Sequence, residues 1–236
     1  DFDEIVLSIH SFKIFENAEI KLFFKFLIEI SNNHHRDQLF IEKIHQILLY
    51  IACYTKKCIS NLEMFELSKS NKLMLLFLIS NQIIIVDEEI ANRMIVMENK
   101  NHTEYCLFFY PEIKQFIDKE EQDFLEYKLS QYNLDNLDDL INKRQNGEND
   151  SYISSLIQND FVEEFVSYYN RANFSLSSLI KQSIFETNPL LIKDSPSLIE
   201  YAAFFGSIQI FQFLKYNEVE LTPSLWIYAI HSNNPE

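Results

Sequence analysis

Apolar residues recur at spacings of three and four along the chain from its start to about Asn146. This spacing puts them on one face of an α-helix, so it predicts amphipathic helices whose apolar faces meet in a core. The clearest stripes are Ile5, Ile9, Phe12 and Phe15, then Ile20, Phe23, Phe24, Leu27 and Ile30, then Phe40, Ile44, Ile47, Leu48 and Ile51. We expect the core of this region to contain Phe24, Leu27, Ile47, Ile51, Leu75 and Leu78.

Polar residues at the ends of these stripes indicate where helices begin. Asn61 and Asp87 stand directly before helical segments, where a side-chain oxygen can accept a hydrogen bond from a free backbone N–H group. Pro111 falls in the first turn of a helix that starts at Tyr110, a position that tolerates the missing N–H group. Residues 83–86 are all β-branched and are compatible with a short strand, but we interpret them as a buried extended link between helices.

The clearest turn signal is the polar segment 146–151, which contains one of only two glycines in the chain. It predicts a domain boundary, with a helical N-terminal domain at residues 1–146 and a second domain at residues 147–236. We expect the first domain to pack against the second instead of being joined to it by a flexible linker.

The second domain contains an internal repeat. Residues 197–206 and 224–233 carry Ser, Leu, Tyr and Ala at matching places, 27 residues apart, and Gly206 is matched by Asn233. Glycine and asparagine best tolerate the left-handed conformation that ends many helices. A weaker copy aligns Asp160 with Gly206, 46 residues apart, so residues 170–195 become an insertion. The pattern predicts about three helix-turn-helix repeats, the last one truncated at residue 236.

Residues 199–214 resemble the helix-turn-helix of an ankyrin repeat. The resemblance implies that the alanines at 202 and 203 lie where two helices touch and that Gly206 ends the first helix. It implies that the second helix packs through three apolar residues, Ile210, Phe211 and Leu214. Ser197-Leu198 departs from the usual Thr-Pro, and the 27-residue period is shorter than roughly 33 residues. The hairpin between repeats is therefore expected to shrink to a loop at residues 216–223.

A wider resemblance covers nearly the whole chain. In this order, residues 70–79, 110–114, 147–153, 183–189 and 198–210 are similar to segments of a large ankyrin-type family of trichomonad protists. The resemblance implies an all-α architecture, in which a helical N-terminal domain of unknown function is continuous with an ankyrin-like helix-turn-helix repeat solenoid. It also implies a scaffold role, and the family supplies no catalytic residues.

The charge balance limits the classes of partner. The chain has 20 Lys and Arg against 35 Asp and Glu, a formal net charge of −15, so it lacks the excess of cations that binds nucleic acid or an anionic membrane. It is 47% hydrophobic and 14% aromatic, which is typical of a folded domain. Its 2 Gly are too few for the phosphate loops of nucleotide-binding α/β folds or for many β-hairpins.

No membrane or secretory segment is expected. The apolar stretch without a charged residue at 73–86 is shorter than the roughly 18–20 apolar residues that cross a bilayer. The start at Asp1 does not resemble a signal peptide, and 3 Cys do not suggest a disulfide framework. We therefore expect an intracellular, cytoplasmic protein, and the missing initiator methionine suggests that the sequence is a fragment.

Two groups of potential metal ligands are weak candidates. His34, His35 and Asp37 offer imidazole and carboxylate ligands, but adjacent residues on a loop rarely converge on one ion, so a polar connector is the favoured interpretation. Cys53 and Cys58 have the wrong spacing for a zinc site and lack a second pair. Cys53 is expected to be a small buried hydrophobic residue.

Candidates for catalysis are equally weak. Cys106 precedes Leu-Phe-Phe, and a buried apolar setting raises the pKa of a thiol, so a structural role is favoured. The acidic residues at 118–126 lack the ligand spacing and the glycine of a calcium loop, which favours a solvated helix face. The chain has neither a P-loop nor a nucleophile elbow. We therefore predict a protein that is not an enzyme and has no cofactor and no metal site.

Aromatic residues of the repeats are the candidate partner site. Tyr201 and Tyr228 occupy the same place in two successive repeats, and in stacked repeats of this kind such side chains line the concave face. We predict that they bind a protein partner together with Phe205 and His231. The alternative is that these rings pack against the insertion at 170–195 or against the N-terminal domain.

The favoured function is a non-catalytic protein-interaction scaffold that uses the concave face of the repeats. The alternative is an enzyme or adaptor whose activity lies in the N-terminal helical domain or in sequence outside residues 1–236. Converging titratable groups in a concave site would favour an enzyme, and an exposed aromatic groove would favour a scaffold. We also expect the Trp226 face of the last helix to fray or to be covered by another chain, including through self-association.

Overall fold

A computed structural model of the protein describes residues 17–33, 37–101, 105–132, 134 and 136–232. Most of these residues are helical, no strand occurs among them, and Leu179 and Ser197 form an isolated antiparallel bridge. The predicted all-α class is therefore confirmed. The predicted apolar stripe at residues 5–15 and the histidines at 34 and 35 lie outside the described residues.

The chain divides into two compact units, Asp1–Asn133 and Leu134–Glu236. The turn signal at 146–151 lies inside the second unit, where it forms a loop with many hydrogen bonds. The carbonyl of Gly147 accepts hydrogen bonds from both the backbone N–H and the hydroxyl of Thr187, and the amide of Asn149 donates to the carbonyl of Lys181. These bonds attach the segment to the rest of the second unit.

The first unit is built from helices whose apolar faces meet in one core. Long helices α1 and α2 lie against each other, α3 contacts α1, α4 and α5, and α6 contacts α5 and α8. All six predicted core residues are buried, which confirms that prediction. The helices are α1 (Asn17–Asn33), α2 (Gln38–Cys58), α3 (Asn61–Ser68), α4 (Lys72–Ser80), α5 (Glu88–Asn101), α6 (Tyr105–Phe108), α7 (Tyr110–Ile113) with a 3₁₀ turn (Lys114–Phe116), and α8 (Lys119–Ser130).

Side chains cap several of these helices. The Asp87 carboxylate accepts a 2.9 Å hydrogen bond from the backbone N–H of Ile90, and Pro111 lies in the first turn of α7, as predicted. The cap of α3 is Ser60 and not Asn61, because the Ser60 hydroxyl accepts from the backbone N–H of Glu63. The prediction for Asn61 was therefore wrong by one residue.

Asn61 instead holds the link between α4 and α5. Its side-chain amide donates to the carbonyl of Ile85 and its side-chain oxygen accepts from the N–H of the same residue, at 2.6 and 2.9 Å. The link is not a strand, and Ile83 and Ile84 are buried while Ile85 is exposed. The predicted burial of the link is thus correct for its first half only.

The cysteines in the first unit occupy different environments. Cys106 is buried, as predicted, whereas Cys53 is exposed, so the prediction of a buried Cys53 was wrong. Helix α2 directs only one face into the core, and Cys53 lies outside that face. The buried residues of α2 are Ile44, Ile47, Leu48, Ile51 and Thr55.

The second unit contains two helix pairs that pack side by side. The first helices of the pairs contact each other, α10 with α13, and so do the second helices, α11 with α14; the short helix α15 then packs against α13. The helices are α9 (Leu137–Lys143), α10 (Tyr152–Gln158), α11 (Val162–Ala172), α12 (Pro189–Lys193), α13 (Leu198–Phe205), α14 (Ile208–Tyr216) and α15 (Leu225–Ala229).

The turns within the two pairs have the same hydrogen bonds. The N–H of Asp160 donates to the carbonyl of Ile157, and the N–H of Gly206 donates to the carbonyl of Ala203. In each turn, the N–H of the following residue donates to the carbonyl of the residue just before the first acceptor. Asp160 and Gly206 both have a positive φ, of 52° and 67°. The 46-residue alignment therefore superposes equivalent turns. Asn233, the predicted third member, lies outside the described residues.

Candidate interaction surface

Helix α13 is buried around its whole circumference, since every residue from Leu198 to Phe205 is buried. Helices α10, α14 and α15 contact it. The segment before it is held by hydrogen bonds from the N–H of Ile180 to the carbonyl of Pro196 and from the N–H of Leu198 to the carbonyl of Ser178. An interaction face on a repeat requires an exposed side of its first helix, and α13 has none.

Tyr201 is fully buried within this unit. Its ring packs against that of Phe205, also buried, with centroids 4.7 Å apart, and its hydroxyl accepts a 2.9 Å hydrogen bond from the Gln158 amide. Burial raises the pKa of the Tyr201 hydroxyl well above its ordinary value, and the nearby Glu186 charge raises it further. Tyr201 and Phe205 therefore lie in the core and not on an open concave face.

Tyr228 and His231 are also engaged inside the unit. The Tyr228 hydroxyl donates a 3.1 Å hydrogen bond to the carbonyl of Asp194, and burial, with the Glu200 and Asp194 charges, raises its pKa to about 12. The half-buried His231 ring lies 5.5 Å from that of Phe204. Asp194 belongs to the insertion, so Tyr228 is placed as the packing alternative describes.

A buried carboxylate joins α13 to the turn before α15. One oxygen of Glu200 accepts hydrogen bonds from the hydroxyls of Thr222 and Ser224, at 2.7 and 2.6 Å, and the other accepts from the N–H and the hydroxyl of Ser197, both at 2.8 Å. Burial acts to raise the pKa of Glu200, but the hydrogen bonds from Ser224, Ser197 and Thr222 together hold it below its ordinary value. This network fixes where α15 begins.

Helix α15 presents large apolar side chains to solvent. Tyr228 is directed towards α13, whereas Trp226 is 77% exposed, Ile227 53% and Ile230, directly after the helix, 79%. We call Trp226, Ile227 and Ile230 the α15 face. Their spacing places them together on the side of the helix that α13 does not cover.

A cavity of about 320 Å³ adjoins α15. It lies between the end of α13, one side of α14 and the end of α15. Among the described residues of its lining, Lys215 is the one titratable group, so these residues do not supply converging acids and bases. The lining residues are Ala202, Ala203, Gly206, Ser207, Ile208, Phe211, Gln212, Lys215, Ala229 and Ser232.

Other chemistry is sparse in the described part of the chain. Within it, no group of three or more His, Cys, Asp or Glu residues could hold a metal ion, and no helix is long and apolar enough to cross a bilayer. The acidic residues at 118–126 form surface interactions: Lys119 pairs with Asp123, and Glu126 accepts hydrogen bonds from Lys114 and the Tyr110 hydroxyl.

No family model, no curated protein and no solved structure matches this chain. The resemblance to an ankyrin-type protist family therefore stays a prediction. What the molecule itself shows is its helix pairs, their matching turns and the apolar surface beside the last of them.

The residues that line the cavity on α14 were not predicted as a site. Ile208, Phe211, Gln212 and Lys215 have a helical spacing that places them on one side of α14, but the ankyrin resemblance assigned Phe211 to internal packing. The structure buries Ile210 and Leu214 and leaves Phe211 half-buried at the cavity. The sequence did carry a signal for this site, because α14 has a second side that is partly apolar.

Proposed function

We propose that this protein is a non-catalytic scaffold that binds a protein partner through its second unit. The observation that carries the proposal is the α15 face, in which a tryptophan and two isoleucines are exposed side by side. Contiguous exposed apolar side chains are typical of interaction sites, and tryptophan is enriched among residues that dominate binding energies.

The proposed site differs from the concave face inferred from the repeat pattern. Helix α13, which would supply that face, is buried on all sides, so Tyr201 and Phe205 are unavailable to a partner without unfolding. The α15 face needs no rearrangement, because Trp226 is already exposed.

The charge of the chain supports a protein as the partner. A formal net charge of −15 opposes binding to nucleic acid and to anionic lipid, both of which depend on cationic surfaces. An apolar face with one basic residue in the neighbouring cavity, Lys215, fits a protein surface that combines apolar and acidic side chains.

The proposal is tested by comparing the proteins captured from a native lysate by the tagged chain and by Trp226→Ser and Ile230→Ser variants. A matched control is Phe161→Ser, which removes an exposed aromatic ring from the start of α11 and changes none of the three residues of the α15 face. We expect proteins retained by the wild type and the control to be lost from both α15 variants. Equal capture by all four chains would exclude the α15 face as the binding site.

A further inference from the structure

We propose that Thr222 is a phosphorylation site for a proline-directed protein kinase, and that the added phosphate detaches the start of α15 from Glu200. The inference concerns a covalent modification. It goes beyond the proposed function, because it does not require that a partner binds to the α15 face. It rests on the hydrogen bonds between α13 and the turn before α15.

Thr222 lies at the end of a segment whose backbone a kinase can bind. Residues 219–222 form no helix, turn or strand. Leu221 and Pro223, on either side of Thr222, are exposed, whereas Thr222 itself is half-buried. Proline disfavours a helical conformation of the residue before it, and protein kinases bind the segment that they modify in an extended conformation. Threonine followed by proline is the sequence that proline-directed kinases recognise.

The repeat contains a similar motif at a place that the fold protects. Residues 195–197, Ser-Pro-Ser, stand 27 residues before residues 222–224, Thr-Pro-Ser. Pro196 is buried, and its carbonyl accepts a 2.7 Å hydrogen bond from the backbone N–H of Ile180. Pro223 is exposed. The sequence therefore offers two similar motifs, and the structure exposes the proline of the second motif but not that of the first.

Thr222 holds the start of α15 in two ways. Its hydroxyl donates a 2.7 Å hydrogen bond to Glu200, and its carbonyl accepts a 3.1 Å hydrogen bond from the backbone N–H of Leu225, the first residue of α15. Ser224 donates to the same carboxylate oxygen at 2.6 Å. A change at the Thr222 hydroxyl is therefore transmitted directly to the start of the helix.

Phosphorylation replaces the hydrogen-bond donor with an anion. The bond between the γ-phosphorus of ATP and ADP breaks as the bond to Oγ1 of Thr222 forms, and the hydroxyl proton passes to the base of the kinase. The product carries a charge of about −1.5 to −2 at pH 7. Burial opposes the charged form of Glu200, but its hydrogen bonds hold its pKa below the ordinary value, so its carboxylate is also charged at pH 7.

The surroundings of Glu200 do not compensate this second negative charge. Its hydrogen-bond donors, Ser197, Thr222 and Ser224, are neutral, and in the described part of the chain no Lys or Arg forms an ion pair with it. A phosphate beside a carboxylate disrupts the local structure by repulsion between like charges. Glu200 is fixed within the buried helix α13, so the segment that moves is the turn that carries Thr222.

The first test maps the modification. The full 236-residue chain is incubated with a recombinant proline-directed kinase and MgATP, and phosphate is located by tandem mass spectrometry. We expect phosphate on Thr222 and none on Ser195 of the folded chain. Peptides of residues 190–200 and 217–227 should both be modified, because neither motif is protected outside the fold. Absence of phosphate from Thr222, or equal modification of both residues in the folded chain, would overturn the assignment.

The second test measures how α15 is held. The chain contains 1 Trp, Trp226, which lies in α15, so its fluorescence anisotropy reports the motion of this helix. We expect phosphorylation to lower the anisotropy and to speed hydrogen exchange of the backbone amides at residues 225–231 at least about tenfold. The amides of α10 are the control and should keep their exchange rates. Unchanged exchange at residues 225–231 would show that the phosphate does not release α15.

Two variants separate the added charge from the lost hydrogen bond. Thr222→Val removes the donor without adding charge, so its effect on the exchange of α15 should be at least about threefold smaller than that of the phosphate. Glu200→Gln removes the opposing charge and supplies an amide donor, so phosphorylation should change the exchange of this variant less than about threefold.

Two results of this comparison would exclude charge repulsion as the cause of the release. One is equal acceleration of exchange by Thr222→Val and by the phosphate, and the other is equal acceleration by the phosphate with and without Glu200→Gln. None of these measurements includes a partner protein, so their failure would leave the proposed function as it stands.

Discussion

The hydroxyl of Ser224 donates a 2.6 Å hydrogen bond to the carboxylate of Glu200. Ser224 is the repeat counterpart of Ser197, yet the two serines are used differently. Ser197 forms a capping box with Glu200 at the start of α13, whereas Ser224 makes no side-chain cap on its own helix. One buried carboxylate therefore serves both helix starts and couples the position of α15 to α13.

We expect Glu200→Gln to lower the free energy of unfolding by about 1–3 kcal/mol, because the variant loses charge-assisted hydrogen bonds from partly buried donors. The measurement is urea-induced unfolding followed by far-ultraviolet circular dichroism. Glu220→Gln changes an exposed carboxylate in the same segment and is the control. Equal stabilities of the two variants would show that the Glu200 hydrogen bonds contribute nothing specific.

The same carboxylate makes stability depend on pH. Its pKa in the folded chain lies below the ordinary value of 4.5, so the folded state favours the charged form. The contribution of the charged carboxylate to the free energy of unfolding is fully present above the pKa of Glu200 in the unfolded chain. It is lost as the pH falls through the pKa of Glu200 in the folded chain. We expect the difference in unfolding free energy between wild type and Glu200→Gln to shrink below about pH 4.5. A constant difference down to pH 3 would contradict this.

The helical periodicity predicted the core of the first unit well because α1 and α2 bury one face each. Leu27 and Ile47 each belong to a series of apolar residues spaced three and four positions apart, which is the spacing of a helix with one apolar face. Both residues are buried. Cys53 was misassigned because it falls between the stripes. Its apolar neighbours do not decide which side of the helix it occupies.

The candidate site was harder to predict, for a physical reason visible in α13. Its sequence, Leu-Ile-Glu-Tyr-Ala-Ala-Phe-Phe, has no polar side, which indicates burial on all sides instead of an open face. The repeat alignment identified Tyr201 and Tyr228 as equivalent positions, and both are buried. The cavity on α14 depends on which sides of a helix its neighbours cover, and that is a property of tertiary packing.

Asp160 links the two helix pairs. Its carboxylate accepts 3.0 Å hydrogen bonds from the N–H groups of Gln209 and Ile210, so it caps α14 from the neighbouring pair, while its own φ is positive. We expect Asp160→Ala to lower the free energy of unfolding by about 1–3 kcal/mol. The variant removes the cap of α14, and it places alanine, whose side chain cannot form a local hydrogen bond, in a left-handed conformation.

Asp160→Asn is the matched control for this position, because asparagine keeps an oxygen acceptor and tolerates positive φ. Its loss of stability, measured in the same urea titration, should be less than half that of the alanine variant. Equal losses would indicate that the charge or the second oxygen of the carboxylate, and not the backbone conformation, determines the effect.

His45 in α2 introduces a second pH dependence in the first unit. Its ring is stacked on Phe77 with centroids 3.7 Å apart, and its Nε2 is buried without a hydrogen-bond partner in the described structure. Burial lowers the pKa of His45 from 6.5 to about 4, so the folded state favours the neutral ring. The contribution of the neutral His45 ring to the free energy of unfolding is fully present above pH 6.5. It decreases as the pH falls towards 4, because His45 in the unfolded chain has the higher pKa and is protonated first.

We expect His45→Leu to reduce the loss of thermal stability between pH 6.5 and 4. Gln46→Leu adds a similar side chain at an exposed neighbouring position and keeps the histidine, so it should retain the wild-type dependence. Thermal midpoints at half-unit pH steps provide the comparison. An unchanged slope in the His45 variant would show that other groups titrate in this window.

The final prediction decides between packing and partner binding at Tyr201. The ring is fully buried and contacts Phe205, so Tyr201→Ala should lower the free energy of unfolding by about 3–5 kcal/mol through loss of packing and creation of a cavity. Tyr201→Phe removes only the hydroxyl. The Gln158 amide, which donates to this hydroxyl in the wild type, keeps the carbonyl of Asn149 as an acceptor. The free energy of unfolding should therefore fall by only about 1 kcal/mol. Tyr216→Ala, which removes an 83% exposed ring, is the control and should be nearly neutral. Denaturant unfolding measures all three. If Tyr201→Ala kept the wild-type stability but lost the captured partner, Tyr201 would belong to a concave binding face after all.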